Sequence, residues 1–294
     1  MRLAYRGRGK VATIFRDSVW YPVVLPRLAR RADVDVLHCP TFRAPLKSSV
    51  PLVVTVHDLA VLRHPETFNL WTRRYSRYCV PRVVQAAGVI VAVSEFTKRE
   101  LVQLLGVPAS KIRVIPNGVS ETFTPEGPRA EGDYVLAVGT VEPRKNLARL
   151  VQATRRLGVE LRVAGARGWG RVDGDSTAVR WLGEVSDDKL AALYRGARCL
   201  AYPSIYEGFG LPVVEAMACG TPVVTSSGGA TEEVAGGAAV LIDPLDPVSI
   251  AGGIEQAMFR REELVQRGLA RARAFRWEDA ARATVEVYRE AAAA

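Results

Sequence analysis

Long apolar runs are missing from this sequence. No stretch of about 18 or more apolar residues occurs, so no membrane-spanning helix is predicted. The opening segment MRLAYRGRGKVATIFRD has no apolar core of signal-peptide length, which points to a cytoplasmic chain. Cysteine is scarce. Cys39, Cys79, Cys199 and Cys219 lie far apart with no C-x-x-C spacing, and read as reduced, mostly buried residues rather than a disulfide framework. No local motif makes any of them a catalytic thiol. The three histidines are too few and too scattered for a zinc site. Gly7-Arg8-Gly9-Lys10 lacks the spacing and the Ser/Thr of a phosphate-binding loop, and no base-reading motif accompanies the basic residues. Asp173-Gly174-Asp175 has the D-x-D look of a metal–nucleotide site, but it sits in a Gly-rich polar loop where turn preference gathers those residues. There is no repeat of fixed period and no low-complexity tract.

What is present is the composition of a folded globular chain. Of its 294 residues, 48% are hydrophobic and 24% charged, enough for one large domain or two ordinary ones. Charge is uneven. Residues 1–125 hold 19 Lys and Arg against 8 Asp and Glu, a surplus of 11, while residues 126–294 hold 21 against 23. A basic front half suits anionic lipid, nucleic acid or phosphorylated substrates, and scattered Arg on helix faces is the plainer alternative. The Arg-rich stretch 71–82 carries both readings: a contact for an anionic membrane or a phosphorylated acceptor, or a solvated face.

Buried-type strands alternate with helical stretches. Runs at 34–38, 52–57, 88–93 and 111–115 are apolar and β-branched, as in a parallel sheet covered on both faces. Between 17 and 31 the pattern is helical with an interruption at Pro26. Residues 119–132 hold two prolines, two glycines and no periodicity, and read as a linker. A second series follows, with strands at 134–138, 161–164, 179–182, 199–202, 222–226 and 239–242. Helices are predicted at 146–157, from Ser186, at 247–259, and through 260–294 with Trp277 inside. The fold class is α/β, with parallel, doubly wound sheets. The predicted divisions are an N-terminal domain 1–122, a C-terminal domain 133–275 and a terminal helix 276–294.

The most informative stretch runs from 203 to 222, PSIYEGFGLPVVEAMACGTP. Glu207 and Glu215 stand eight residues apart. Between them Gly208-Phe209-Gly210 allows close backbone approach, and Leu211-Pro212 opens an apolar helix. Glu215 is then one turn into that helix, whose first N–H groups carry positive partial charge. Two carboxylates beside a helix N-terminus suit a ligand that offers hydroxyls and an anion together, as a nucleotide sugar does. A second cluster follows the strand 134–138: Gly139-Thr140-Val141-Glu142-Pro143-Arg144-Lys145-Asn146. Two adjacent cations at a strand end, before a helix, can neutralise a leaving diphosphate.

The E-x7-E block, with its flanking PS-x-x-EGFGLP-x-x-EAMACGTPVV pattern, resembles the family 4 retaining glycosyltransferases of the GT-B fold. That resemblance implies two Rossmann-like domains facing a cleft. It implies that the C-terminal domain binds a nucleoside-diphosphate sugar and that the tail crosses back to the first domain. On the matching positions it implies catalytic roles for Glu207, His57, Lys145 and Arg144. It implies donor binding by Arg144, Lys145, Val185, Glu207, Gly208, Phe209, Gly210, Leu211 and Glu215. Arg144 and Lys145 hold the diphosphate, Glu207 the sugar hydroxyls, Glu215 the ribose, and Val185 reads the base through its backbone. His57 ends a strand near the donor sugar, and the neighbouring Asp58 orients it or caps the next turn. Segments at Ser94–Thr97 and Asn117-Gly118 match the family as well as they match ordinary cap and turn chemistry. The loop Gly165–Gly170 (GARGWG) is similar to a family loop and is not a dinucleotide fingerprint.

No metal or other cofactor is implied for catalysis. The implied reaction is retaining transfer of a hexose, mannose or glucose, to a glycan, lipid-linked or small-molecule acceptor, as in cell-envelope polysaccharide synthesis. The implied setting is cytoplasmic, with peripheral contact at the inner face of the membrane. The family pattern begins before the first strand predicted here, so the N-terminal domain reads as truncated. Two alternatives follow: a nucleotide-sugar-binding module impaired in catalysis, and a nucleotide-sugar epimerase of the same fold, against which the EGFGLP block speaks.

Overall fold

The computed structural model describes residues 13, 15–168, 170 and 179–293. The D-x-D stretch 173–175 and the run 7–10 lie outside the described residues. The chain divides into two compact units. One comprises residues up to Val93, Thr97–Ile115 and Arg282–Ala294; the other comprises Ser94–Phe96 and Pro116–Ala281. No helix among the described residues is long and apolar enough to cross a membrane.

The first unit is built on four parallel strands, β1 (Leu37–Cys39), β2 (Leu52–Val56), β3 (Val89–Ala92) and β4 (Ile112–Val114), in that order across the sheet. β2 and β3 are buried at every position, which is why they read as continuous apolar runs rather than alternating ones. Their core side chains include Val54, Val56, Ile90 and Ala92, with Val80, Val83 and Val84 from the helix Leu70–Ala86 laid over them. Near the N-terminus the chain winds as a π-helix over Arg16–Val24 and tightens to an α-helix over Leu25–Arg31. The sequence predicts a break at Pro26. Instead, Pro26 sits in the first turn of the second helix, where its missing N–H costs nothing.

Within this unit His38 is clamped on both ring nitrogens, with Nδ1 2.6 Å from Tyr288 Oη and Nε2 2.8 Å from Thr55 Oγ1. Burial lowers its pKa, and the nearby His57 lowers it further. The neutral ring is therefore the one the fold holds. An unfolded imidazole titrates near 6.5, so below that pH the unfolded chain takes up a proton that folded His38 refuses. Stability must then rise with pH through the window that starts below 6.5 and closes there. His38→Gln is expected to flatten the fall in melting temperature between about pH 7 and pH 5. An unchanged slope in the variant would discard this role for His38.

The second unit carries six parallel strands: β5 (Tyr134–Val138), β6 (Glu160–Ala164), β7 (Val179–Gly183), β8 (Cys199–Tyr202), β9 (Val223–Ser226) and β10 (Val240–Ile242). Their spatial order is β10-β9-β8-β5-β6-β7. The first strand of the unit is central, and the order reverses between β5 and β8, which pair at Val135↔Cys199 and Leu136↔Leu200. That is the switch point of a doubly wound sheet, outside whose carboxyl edge ligands bind. The helix Leu147–Leu157 shows how the layers form. Leu147, Leu150, Val151 and Thr154 are buried at helical spacing, and the helix stops at Gly158 in the left-handed region (φ 64°).

The stretch 119–132, which has no pattern of its own, is tied down by long-range hydrogen bonds. Buried Arg195 donates to Pro128 O (2.8 Å) and Thr124 O (3.0 Å), and Ala130 N donates to Ala192 O (2.9 Å). The predicted helix 260–294 is two helices, Arg261–Ala272 and Trp277–Ala293. The break has a tertiary cause. Val119 N donates to Phe275 O (2.9 Å) and Val119 pairs with Arg276, while the Phe275 ring turns into the core. All four cysteines are free and buried. Burial raises the thiols of Cys39, Cys199 and Cys219 to about 11, 12 and 12, so none is a thiolate near neutral pH.

Candidate functional site

The switch point gathers two loops, one after β5 and one after β8. After β5 the chain crosses Gly139–Val141, makes a single 3-10 turn at Pro143–Lys145, and enters the helix Leu147–Leu157 through Asn146. Pro143 starts that turn, as its fixed φ favours. Two cations therefore leave the turn next to one another. After β8 the chain runs through Pro203 to Gly210, and Gly210 (φ 103°) caps the helix Leu211–Ala218 with Pro212 in its first turn. Glu207 lies in this second loop and meets both cations. Lys145 Nζ donates to Oε1 (2.5 Å) and Arg144 Nη1 to Oε2 (3.0 Å). Tyr202 Oη also donates to Oε1 (2.9 Å) and accepts from Lys145 Nζ (2.6 Å). Arg144 Nε reaches Glu142 (3.0 Å).

The side chains of Glu207, Lys145 and Arg144 are 10%, 12% and 14% exposed, so their charges act at low screening. Burial alone would raise the Glu207 carboxyl. The charges of Lys145 and Arg144, with the hydrogen bond from Lys145, outweigh it and hold the group below the ordinary carboxylate range. Burial first, and then the adjacent Glu207 charge, push the Tyr202 phenol well above its usual range, so it is a neutral donor.

Glu215 stands one turn into its helix, as the sequence predicts, and is buried. Its Oε2 accepts from the buried Tyr194 Oη (2.8 Å), a contact separate from the Glu207 cluster. Phe209 turns its ring inward against Phe275, centroids 5.6 Å apart, leaving its backbone rather than its side chain for a ligand. Leu211 is half-buried at the helix start. Gly208 O accepts from Ser94 Oγ (2.7 Å), which belongs to the same unit. Val185 is half-buried between β7 and the helix Asp187–Gly196, whose N-cap is Ser186. His57 belongs to the first unit. It is exposed at the end of β2, and Nε2 donates to Pro40 O (3.1 Å). Asp58 caps the next turn by accepting from Ala60 N (2.9 Å).

Two supports of the site were not read from the sequence. Asn146 is a buried non-glycine residue in the left-handed region (φ 59°). Its Nδ2 donates to Pro203 O (3.1 Å) and Pro244 O (2.5 Å), tying the Arg144–Lys145 turn to the loop that carries Glu207. An Asn directly before a helix, following two cations, was the available signal; αL conformation in a non-glycine residue favours Asn. The second support is the loop after β6. Gly165 N donates to Gly183 O and Val141 N to Ala166 O, continuing the sheet ladder past its end. A Cβ on Gly165 would lie 2.1 Å from Gly139 O. The glycines of GARGWG thus let one backbone lie against the loop that leads to Arg144.

Comparison with known proteins identifies the family and the fold. A family profile described as "Glycosyl transferases group 1" matches residues 119–271, and one described as "Glycosyltransferase Family 4" matches residues 5–123. The O-antigen chain mannosyltransferase B of Escherichia coli is 34% identical over 285 residues, spanning 86% of this chain and 74% of that one. Among solved structures, sucrose-phosphate synthase from Thermosynechococcus elongatus superposes with a TM-score of 0.75 at 24% identity, over 90% of this chain and 76% of that one. HepE of Anabaena in complex with UDP-glucose gives a TM-score of 0.72 at 19% identity, over 92% and 81%. The two parallel-sheet α/β units are those of the GT-B fold. On the match of both profiles and the Escherichia coli relative, the chain is an enzyme of the group 1 glycosyltransferase family.

Proposed function

We propose that the chain transfers a hexose, mannose or glucose, from a nucleoside-diphosphate donor to a glycan, lipid-linked or small-molecule acceptor, with retention at the anomeric carbon. The observation that carries this reading is the Glu207 carboxylate, held by two adjacent cations at the switch point. Without ligand, Glu207 bridges Arg144 and Lys145, and Glu142 pairs with Arg144 as well. A donor diphosphate offers those cations a stronger multidentate partner, and as it takes them the Glu207 oxygens become free to accept sugar hydroxyls. Backbone N–H groups at the start of the helix Leu211–Ala218 face developing negative charge in the same way. Glu215 is assigned to the ribose, the backbone at Val185 to the base and His57 to the donor sugar, on the family resemblance of their segments.

In the proposed step the bond between the anomeric carbon and the phosphate oxygen breaks, and its electron pair leaves with the diphosphate. The acceptor oxygen bonds to the same face of that carbon, and its proton passes to the departing phosphate oxygen. No protein nucleophile and no cofactor enters the scheme. The mannosyltransferase relative and the UDP-glucose complex of HepE support a nucleotide-sugar donor. The O-antigen relative also favours an acceptor in envelope polysaccharide synthesis; the peripheral contact with an anionic membrane proposed with it rests on the basic surplus of residues 1–125. Incubation with a panel of UDP- and GDP-hexoses, followed by proton NMR of the glycoside, tests the reading. An α-linked product from an α-linked donor is expected. A β-linked product overturns retention, and donor binding without turnover on any acceptor overturns transfer.

A further inference from the structure

Among the described residues three buried side-chain polar atoms make no hydrogen bond: Arg43 Nε, Ser76 Oγ and Ser204 Oγ. The first two belong to the first unit. Ser204 lies between Tyr202 and Glu207 in the loop after β8. A buried polar group without a partner costs stability, so its presence calls for a reason. The backbone around Ser204 shows no such shortfall. Pro203 O accepts from Asn146 Nδ2 (3.1 Å), Ser204 O accepts from Ser226 Oγ (2.7 Å), and Ile205 N donates to Arg144 O (2.8 Å). The loop is thus fixed on both sides of a hydroxyl that stays unmatched, in a residue only 3% exposed. An alanine would fit the same place with nothing left over.

A buried water is the ordinary remedy, and the surroundings do not suit one. The cavity that Ser204 lines is about 10 Å³, at the lower limit for a single water. Much of its wall is apolar, including Ala137, Val163 and Ala201, and the polar side chains on it, Lys145 and Tyr202, already bond to Glu207. The nearby Glu207 carboxylate is the better partner. A carboxylate accepts about four hydrogen bonds. Oε1 takes Lys145 Nζ and Tyr202 Oη, and Oε2 takes Arg144 Nη1, which leaves room on Oε2. Burial raises the Glu207 carboxyl, Lys145 and Arg144 lower it, and the Ser204 hydroxyl lowers it as well, which places that hydroxyl within its influence. A serine O–H can rotate to meet an acceptor without any movement of the backbone.

We propose that Ser204 is a positioning residue for the transfer: its hydroxyl donates to Glu207 once the donor diphosphate has drawn Lys145 and Arg144 away, and so keeps the carboxylate aimed at the sugar hydroxyls. This rests on the reading of Glu207 given above. Without Ser204, Tyr202 Oη alone would remain of the three donors that now hold the carboxylate.

Ser204→Ala tests the role through three readouts. The melting temperature should equal or exceed that of wild type, because an unmatched buried hydroxyl is gone. The same variant should lose kcat by about 10–100-fold, the worth of one hydrogen bond to a charged group. Its KM for the donor should stay within about twofold, since Arg144 and Lys145 still collect the diphosphate. In the Glu207→Ala background, Ser204→Ala should cost no further rate, because the hydroxyl acts through that carboxylate. A lower melting temperature with wild-type kcat makes Ser204 a packing residue and overturns the role, as does a full additional loss of rate in the Glu207→Ala background. If Glu207→Ala is slow while Ser204→Ala matches wild type, the role of Ser204 alone falls. If Glu207→Ala itself turns over like wild type, the reading of Glu207 falls and takes Ser204 with it.

Discussion

Lys145→Ala and Glu207→Ala are each expected to lower kcat by about 10²–10³-fold, the usual cost of removing one preorganised electrostatic group from a charge-developing site. Their effects on stability should differ. In Lys145→Ala, Glu207 keeps Arg144 at 3.0 Å and the Tyr202 hydroxyl at 2.9 Å, so the carboxylate stays paired. In Glu207→Ala, Arg144 keeps Glu142 at 3.0 Å, but Lys145, only 12% exposed, loses the one carboxylate it pairs with among the described residues. Removing one partner of a buried pair leaves an uncompensated charge, worth about 3 kcal/mol. The double variant Glu207→Ala/Lys145→Ala should then be less destabilised than the sum of the two singles. Excess donor should rescue the melting temperature of Glu207→Ala more than that of wild type, because its diphosphate supplies the missing negative charge. Single-turnover kinetics together with thermal melts in the presence and absence of donor separate these effects. Turnover within about twofold of wild type in both single variants contradicts the assignment of this cluster to the reacting centre.

The contrast between the variants also explains what the sequence disclosed and what it withheld. The strands of both sheets were legible because every position of β2, β3, β8 and β9 is buried, and such strands read as plain apolar runs. Arg144, Lys145 and Glu207 were legible because two cations at a strand end and an acid in a Gly-rich turn are each unusual. What joins them is the order β10-β9-β8-β5-β6-β7, which puts β5 and β8 side by side although some sixty residues separate them. No local pattern states that adjacency. The break before Trp277 was hidden for a related reason. Ala274, Phe275 and Arg276 are acceptable helix formers, and it is Val119, far away in the chain, that takes the Phe275 carbonyl. The role of the Phe209 ring was obscured too, since a motif position does not say whether a ligand meets a side chain or a backbone. The polar supports, Asn146 and Tyr202, were read respectively as a helix start and a strand end. Both positions were right, and neither disclosed the hydrogen bonds that give them a function.

Asn146 is the support whose loss should be felt furthest. Its backbone sits at φ 59°, ψ 30°, where most side chains cost roughly 1–2 kcal/mol. Its amide also supplies hydrogen bonds to the carbonyls of Pro203 and Pro244. Asn146→Ala removes both supports at once. The strain and the loss of a donor to the buried Pro203 carbonyl together predict a loss of about 2–5 kcal/mol, since an unsatisfied buried acceptor costs about 1–3 kcal/mol, while the part-buried Pro244 carbonyl can turn to water. Asn146→Gly removes the side-chain bonds but accepts the left-handed backbone without strain, and should recover about 1 kcal/mol over Ala. The kinetic effect follows from geometry. Arg144 O accepts from Ile205 N at 2.8 Å, so the turn and the Glu207 loop move as one only while both ties hold. A displacement of about 1 Å at a reacting centre can cost on the order of 10²-fold in rate. Both variants should therefore lose kcat by more than they lose donor affinity, because a loosened turn can still collect the diphosphate but no longer holds it against the sugar. Urea melts compared with kcat and KM for wild type, Asn146→Gly and Asn146→Ala decide the matter. If Ala is as stable as Gly, the backbone argument fails; if both keep wild-type kcat, Asn146 has no part in positioning Arg144 and Lys145.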